Sequence, residues 1–238
     1  MIAVVLAAGK GSRLGEHTTN LPKSLLPLNA ENKTLLDYNL EILRLFDLEK
    51  ILIVTGFNAE KIEEHVAGSP DIETIYNPFW NYCNVLGSLY MALDRFNDDF
   101  LFLHADTLAD KPIWELLIQA EGDMVLPFER KACGEEEMKV RLEGNRLLEI
   151  SKKIDSAKAD GEFLGIAKFT RKTHSYFTRT AEGFFKQGDL SQYMERVISK
   201  AIEDELFDIQ ALDIGDHNFV EVDFEEDYRR ARSLFGTI

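Results

Sequence analysis

The chain has 238 residues, 45% hydrophobic and 29% charged, a globular balance long enough for a large buried core, and a formal net charge of −15. No apolar run is long enough to span a bilayer, and no basic stretch precedes the first apolar run as it would in a secretion signal. The acidic surface argues against nucleic acid or an anionic membrane as partner, and two distant cysteines, Cys83 and Cys133, fit free thiols in a cytoplasmic protein.

Ile2 to Leu6 is a short apolar strand running into Ala7-Ala8-Gly9. Thr34 caps a helix whose apolar stripe is Leu35, Leu36, Leu40, Leu43 and Phe46. Lys50 to Thr55 is a buried strand, Ala59 to Val66 a short helix and Ile72 to Tyr76 a further strand. Asn84 caps a helix through Leu86, Leu89, Tyr90 and Leu93, and Phe100 to Leu103 is again a strand. Strands separated by helices predict an α/β fold, a Rossmann-like and mostly parallel sheet with helices on both faces.

After about Val125 the pattern changes. Met138 to Leu142 and Arg146 to Ile150 read as a hairpin turning at Glu143-Gly144-Asn145, and Phe163 to Phe169 as another strand. Helices follow near Arg171 to Phe185 and Leu190 to Glu203. Phe219 to Val222 is a last strand, leading to Asp223 and a closing helix through Tyr228 and Leu234. With no Pro/Ser-rich linker and no repeat, residues 1–238 are expected to form one domain. Its nucleotide-binding half would be 1–125, and 126–238 a small antiparallel acceptor-binding portion with the closing strand and helix.

The densest chemical signal is Leu6-Ala7-Ala8-Gly9-Lys10-Gly11-Ser12-Arg13-Leu14 followed by Pro22-Lys23-Ser24-Leu25. Glycines let backbone approach a phosphate chain, exposed N–H groups in such a turn form an anion-binding concavity, and Arg13 and Lys23 add charge-assisted contacts. The spacing is not that of a P-loop, and Leu14 breaks the dinucleotide fingerprint.

Two acids stand at strand ends: Asp106, in His104-Ala105-Asp106, and Asp223, in Val220-Glu221-Val222-Asp223. Loops after parallel strands are where α/β sheets place ligand-binding groups, and converging carboxylates suit Mg²⁺. Either Asp alone can also be read as a loop residue or a helix cap.

The N-terminal segment resembles the Leu-Ala-Ala-Gly-x-Gly-Ser/Thr-Arg-Leu … Pro-Lys signature of the nucleotidyltransferase superfamily, which includes sugar-1-phosphate nucleotidyltransferases and phosphocholine-type cytidylyltransferases. That resemblance implies a first loop wrapping a triphosphate, with Leu6, Ala7, Ala8, Gly9, Gly11, Ser12 and Ala105 at the nucleotide, Arg13 and Lys23 on its phosphates, and Asp106 and Asp223 on the metal. His104 departs from the family pattern and is expected to be a packed strand residue.

Asn77-Pro78-Phe79-Trp80-Asn81-Tyr82-Cys83-Asn84-Val85-Leu86-Gly87-Ser88-Leu89 resembles a stretch of the choline-phosphate-type enzymes. Asn84 and Ser88, four apart on a helix, either read the polar edge of a pyrimidine or serve as cap and packing residue. Trp80 and Tyr82 either form a cationic aromatic site or plug the sheet edge. In Glu137-Met138-Lys139-Val140 and Ile150-Ser151-Lys152-Lys153, the family pattern assigns Lys139 and Lys152 to the acceptor's phosphate; lone strand lysines otherwise face solvent.

The expectation is therefore a Mg²⁺-dependent transfer of CMP from CTP to a phosphorylated amino-alcohol, phosphocholine first, releasing pyrophosphate. 2-Aminoethylphosphonate, inositol 1-phosphate and a sugar 1-phosphate are the competing acceptors. A nucleotide-binding regulatory domain is the non-enzymatic alternative, and a homo-oligomer stays open.

Overall fold

A computed structural model describes residues 1–236; residues 237–238, at the end of the expected 1–238 unit, lie outside it. The elements in chain order begin with β1 (Ile2–Ala7), α1 (Leu35–Leu43), β2 (Ile51–Thr55), α2 (Ala59–His65), β3 (Ile72–Tyr76) and α3 (Val85–Leu93). Then come β4 (Phe100–His104), β5 (Thr107–Ala109), α4 (Lys111–Gln119), β6 (Met124–Glu129), β7 (Lys139–Glu143), β8 (Arg146–Ser151), β9 (Gly161–Phe163) and β10 (Ile166–Phe169). The chain closes with α5 (Arg171–Lys186), α6 (Glu195–Glu203), β11 (Ile209–Asp213), β12 (Phe219–Glu221) and α7 (Glu225–Phe235).

Ten strands form one mixed sheet in the order β11-β8-β7-β9-β6-β10-β4-β1-β2-β3. β4, β1, β2 and β3 are parallel, as the alternating pattern predicts. β10 runs antiparallel to both β4 and β6, and β7, β8 and β9 form the antiparallel portion. Alternation sorts each central strand between two cores. Ile2, Val4, Phe100 and Phe102 join the cluster holding α3 and α5 residues; Ala3, Val5, Leu101 and Leu103 join the one holding α1 and α4 residues. Each such large side chain, fully buried, contributes about 1.5–3 kcal/mol.

A third cluster joins Leu14, Leu26, Leu35, Val220, Val222 and Tyr228, tying the glycine-rich loop to α7. Thr34 caps α1 as expected: its hydroxyl accepts from the Asp37 N–H at 3.0 Å, and the Asp37 carboxylate accepts from the Thr34 N–H at 2.8 Å. No described helix is long and apolar enough to cross a membrane.

Some boundaries differ for local reasons. The strand expected over Phe163 to Phe169 breaks at Gly165, whose φ of 75° turns the chain from the β9 pairing to the β10 pairing. The helix expected from Leu190 begins only at Glu195. Before it, the Leu190 and Gln192 carbonyls accept from the Asn84 and Leu86 N–H groups at 2.9 and 3.2 Å, so the segment stays extended along the start of α3. β6, α4 and β11 carry no expectation from the sequence. Pro127 argues against a sheet strand, yet it sits inside β6 opposite Leu212 of β11.

Candidate active site

The glycine-rich loop leaves the carboxyl end of β1 and is pinned at both sides. Leu14 is buried in the third cluster, the Thr18 hydroxyl donates to the Gly11 carbonyl at 2.8 Å, and the Phe57 N–H donates to the Ala8 carbonyl at 3.0 Å. Gly11 has φ 67°, and a Cβ there would lie 2.9 Å from Cβ of Lys23. Glycine is thus required twice, for the left-handed backbone and for the approach of the lysine.

Asp106 follows β4 and Asp223 follows β12. The Val222 N–H donates to the Asp106 carbonyl at 3.0 Å, which ties the two strand ends together. Asp227 accepts from the Asp223 and Phe224 N–H groups at 3.2 and 2.7 Å, fixing the turn into α7.

Lys23 Nζ lies 2.5 Å from Asp106 Oδ2 and 2.8 Å from Asp223 Oδ1, while Arg13 Nη1 donates to Asp223 Oδ2 at 2.9 Å. Burial alone would lower the Lys23 pKa, but the charges of Asp106 and then Asp223 outweigh it and hold the ammonium above the ordinary lysine range. Burial raises the Asp223 carboxyl, yet Lys23 and then Arg13 bring it below the ordinary range. The four residues that the sequence singles out for phosphate and metal therefore meet at one point.

That point fits a divalent cation. Asp106 Oδ1 is buried with no hydrogen-bond partner among the described residues, the condition a metal ligand satisfies. The oxygen donor set suits a hard ion, and Lys23 shows that the two carboxylates can share one cation.

A cavity of about 520 Å³ opens beside this cluster. Leu6, Ala8, Gly9, Arg13, Asn84 and Ser88 line one part of it. Asn84 acts as a cap, its Oδ1 accepting from the Val85 N–H at 2.8 Å, and Ser88 Oγ accepts from Asn77 Nδ2 at 3.1 Å. Ala7 and Ala105 are buried behind the wall, and Gly11, Ser12 and Lys23 stand outside the lining, Lys23 reaching the site through its ammonium.

Trp80 lines the cavity on the loop side. A Cβ at Gly56 would come 2.6 Å from both the Trp80 Cβ and the Ala8 carbonyl oxygen, and the indole packs edge-on to Phe57 at 5.7 Å. Tyr82 corrects the expectation of an aromatic pair: it is 76% exposed and does not line the cavity. The turn formed by the Tyr82 and Cys83 N–H groups donating to the Phe79 carbonyl points it away.

Lys152 lines the cavity with its Nζ 5.8 Å from the Tyr193 ring centre. Lys139 does not and corrects the second acceptor assignment. It is 1% exposed and donates to the carbonyls of Glu135, Glu137 and Lys152 at 3.1, 3.3 and 2.8 Å, so its donors are spent on the backbone.

Several cavity residues were given no site role by the sequence. His104 packs edge-on against Phe102, as a strand residue should, but also lines the cavity, with Nδ1 3.5 Å from Glu221 Oε1 and a buried Nε2 that has no hydrogen-bond partner among the described residues. Burial would lower its pKa; Glu221 first, then Asp106 and Glu195, push it up to about 9. Glu195, the first residue of α6, is pushed up by burial, with His104 partly opposing. Glu221 was readable in retrospect, as the last residue of β12, two positions before Asp223.

The family model described as "MobA-like NTP transferase domain" matches residues 3–159, about two thirds of the chain. A bifunctional protein GlmU from Methanococcus maripaludis is 36% identical over 121 residues, covering 50% of this chain; the chain spans only 28% of that protein's length. A CTP:phosphoglutamine cytidylyltransferase from Campylobacter jejuni is 23% identical over 95% of this chain and 97% of its own. The solved CTP:phosphocholine cytidylyltransferase from Streptococcus pneumoniae has a TM-score of 0.77 at 20% identity, covering 98% of both chains, which shows the shared fold.

Proposed function

The chain belongs to the MobA-like NTP transferase family, and from that premise we propose that it transfers CMP from CTP to a small phosphorylated or phosphonate amino-alcohol. The carrying observation is the convergence of Lys23, Arg13, Asp106 and Asp223 beside the glycine-rich loop. CTP as donor is supported by the full-length similarity to a cytidylyltransferase. The capping bond of Asn84 uses only its oxygen, which leaves the amide NH₂ at the cavity wall to donate to a pyrimidine edge.

An acceptor phosphate or phosphonate oxygen is already ionised at neutral pH, so no protein nucleophile is needed. It attacks the α-phosphorus, forming a new P–O bond while the bond from that phosphorus to the β-phosphate oxygen breaks and pyrophosphate leaves. Lys23 and Arg13 stabilise the charge that builds on the phosphoryl oxygens, and the loop N–H groups align the triphosphate. To do so, Lys23 must exchange its carboxylate partners for phosphate. Asp106 and Asp223 would hold Mg²⁺, which when bound offsets triphosphate charge.

The test is pyrophosphate release with Mg²⁺, scanning CTP, UTP, ATP and GTP against phosphocholine, 2-aminoethylphosphonate, inositol 1-phosphate and glucose 1-phosphate. Turnover with CTP and an amine-bearing acceptor supports the reading. Turnover only with a sugar or inositol phosphate discards the acceptor; CTP-induced thermal stabilisation without any turnover points to a regulatory domain.

A further inference from the structure

The cavity lining beyond the glycine-rich loop is rich in acids. Glu129, Glu137, Glu162, Glu195 and Glu221 line it against Lys131, Lys152 and His104. Lys131 is already committed, 2.6 Å from Glu162 and 3.6 Å from Glu129. Lys152 sits over the Tyr193 ring, and His104 is drawn to Glu221.

Glu195 is different. It is only 5% exposed and lines the cavity, yet its Oε2 is buried with no hydrogen-bond partner among the described residues. A buried carboxylate oxygen without a donor is costly, and native sites keep one where a ligand supplies the donor.

We infer that Glu195 is the specificity-determining residue for the acceptor's cationic end and that it selects an amine bearing N–H donors over a quaternary ammonium. This rests on the amine-acceptor reading above and moves the preferred acceptor from phosphocholine to a primary amine. A protonated primary amine offers three N–H donors and satisfies Oε2 directly; a trimethylammonium offers none and leaves it unpaired. Quaternary ammonium groups are held by aromatic faces, whereas Glu195 presents a carboxylate. Tyr82 faces solvent, Trp80 belongs to the loop side, and the Tyr193 face is covered by the Lys152 ammonium. The excess of carboxylates supplies the long-range attraction for either cation, so the hydrogen bond to Glu195 discriminates between them.

The experiment measures CTP-dependent pyrophosphate release by wild type and Glu195→Gln with phosphoethanolamine, 2-aminoethylphosphonate and phosphocholine, with inositol 1-phosphate and glucose 1-phosphate as outside acceptors. The expected result is a kcat/KM at least about tenfold higher for the primary amines than for phosphocholine, the size of one unsatisfied buried polar group. Glu195→Gln, which keeps one acceptor oxygen but loses the charge, should lower that ratio with KM for CTP unchanged. Phosphocholine used equally well or better by wild type, or a ratio unmoved in Glu195→Gln, overturns the inference and leaves the amine-acceptor reading standing. Turnover confined to the outside acceptors, or none at all, overturns both. If the variant does not fold, the wild-type ratio decides alone.

Discussion

The Lys23 ammonium and the Asp106 carboxylate meet at 2.5 Å across 83 residues of sequence, and the same nitrogen reaches Asp223 at 2.8 Å. One cation thus holds two strand-end carboxylates together. Lys23→Met leaves both acids facing each other without it. We expect a stability loss of about 1–3 kcal/mol, below the full cost of breaking a buried pair because Asp223 is partly solvated. We also expect kcat to fall about 10²–10³-fold, as when a charge-stabilising donor is removed. Thermal unfolding with Mg²⁺ and with EDTA checks the metal reading at the same time. Mg²⁺ should stabilise Lys23→Met more than wild type; an equal response would remove the two acids as a cation site.

Asp106→Ala separates chemistry from folding. Lys23 keeps Asp223 as partner in this variant, and Arg13 stays bonded to Asp223, so the fold should persist with an unfolding midpoint close to wild type. Turnover should be abolished. Activity near wild type would remove Asp106 from the metal-binding role.

We expect His104 to make stability fall with rising pH in the metal-free protein. Its pKa is pushed from the ordinary 6.5 up to about 9 by Glu221, Asp106 and Glu195 against the opposing effect of burial. A raised pKa in the folded state contributes stability that is fully present below about pH 6.5 and lost as pH climbs through about 9. A displacement of that size is worth on the order of 3 kcal/mol. The unfolding midpoint in EDTA should therefore drop between pH 6.5 and 9 for wild type, and His104→Gln should flatten that slope. Parallel slopes in both proteins would show that another group carries the pH dependence.

How much of this was legible in the sequence depends on what constrains each residue. The loop signal is local: Gly9, Gly11, Arg13 and Lys23 sit within one short stretch, and the acids sit where strands end. Such positions read directly. Glu195 and His104 become cavity residues only because an extended segment along α3 and the β4–β10 pairing bring them there. Tyr82 and Lys139 misled for the converse reason. A ring in a turn and an amine on a strand are chemically competent anywhere, and only the local hydrogen bonds decide where they point. The parallel strands followed from alternation and buried runs, whereas β6 was hidden by Pro127 and β11 by its short, partly polar face.

Lys139 should behave as a structural lysine. Its ammonium satisfies three backbone carbonyls around the entry to β7. Lys139→Met keeps the stem but strips the donors, leaving those carbonyls without a partner. A loss of about 2–4 kcal/mol is expected in denaturant unfolding, given about 1–3 kcal/mol for each unsatisfied buried group and partial relaxation. KM for the acceptor should stay within about twofold of wild type, less than 1 kcal/mol of binding. A KM rise of tenfold or more, with stability preserved, would restore Lys139 to the acceptor site.

Gly11→Ala tests whether the loop and Lys23 are positioned together. The φ of 67° places an alanine in the left-handed region, at a cost of about 1–2 kcal/mol. Its Cβ would also sit 2.9 Å from Cβ of Lys23, closer than carbon atoms rest without movement. The Lys23 stem is the softer partner, since it stands on a single turn of 3₁₀ helix from Lys23 to Leu25, whereas Leu14 buries the loop side in the third core cluster. Displacement should thus fall on the ammonium and draw it off Asp106 and Asp223. We expect kcat to drop at least tenfold with a midpoint loss of only a few degrees, because no core contact is removed. If kcat survives while stability falls sharply, the clash is absorbed by the loop backbone, and Lys23 is held by its carboxylates alone.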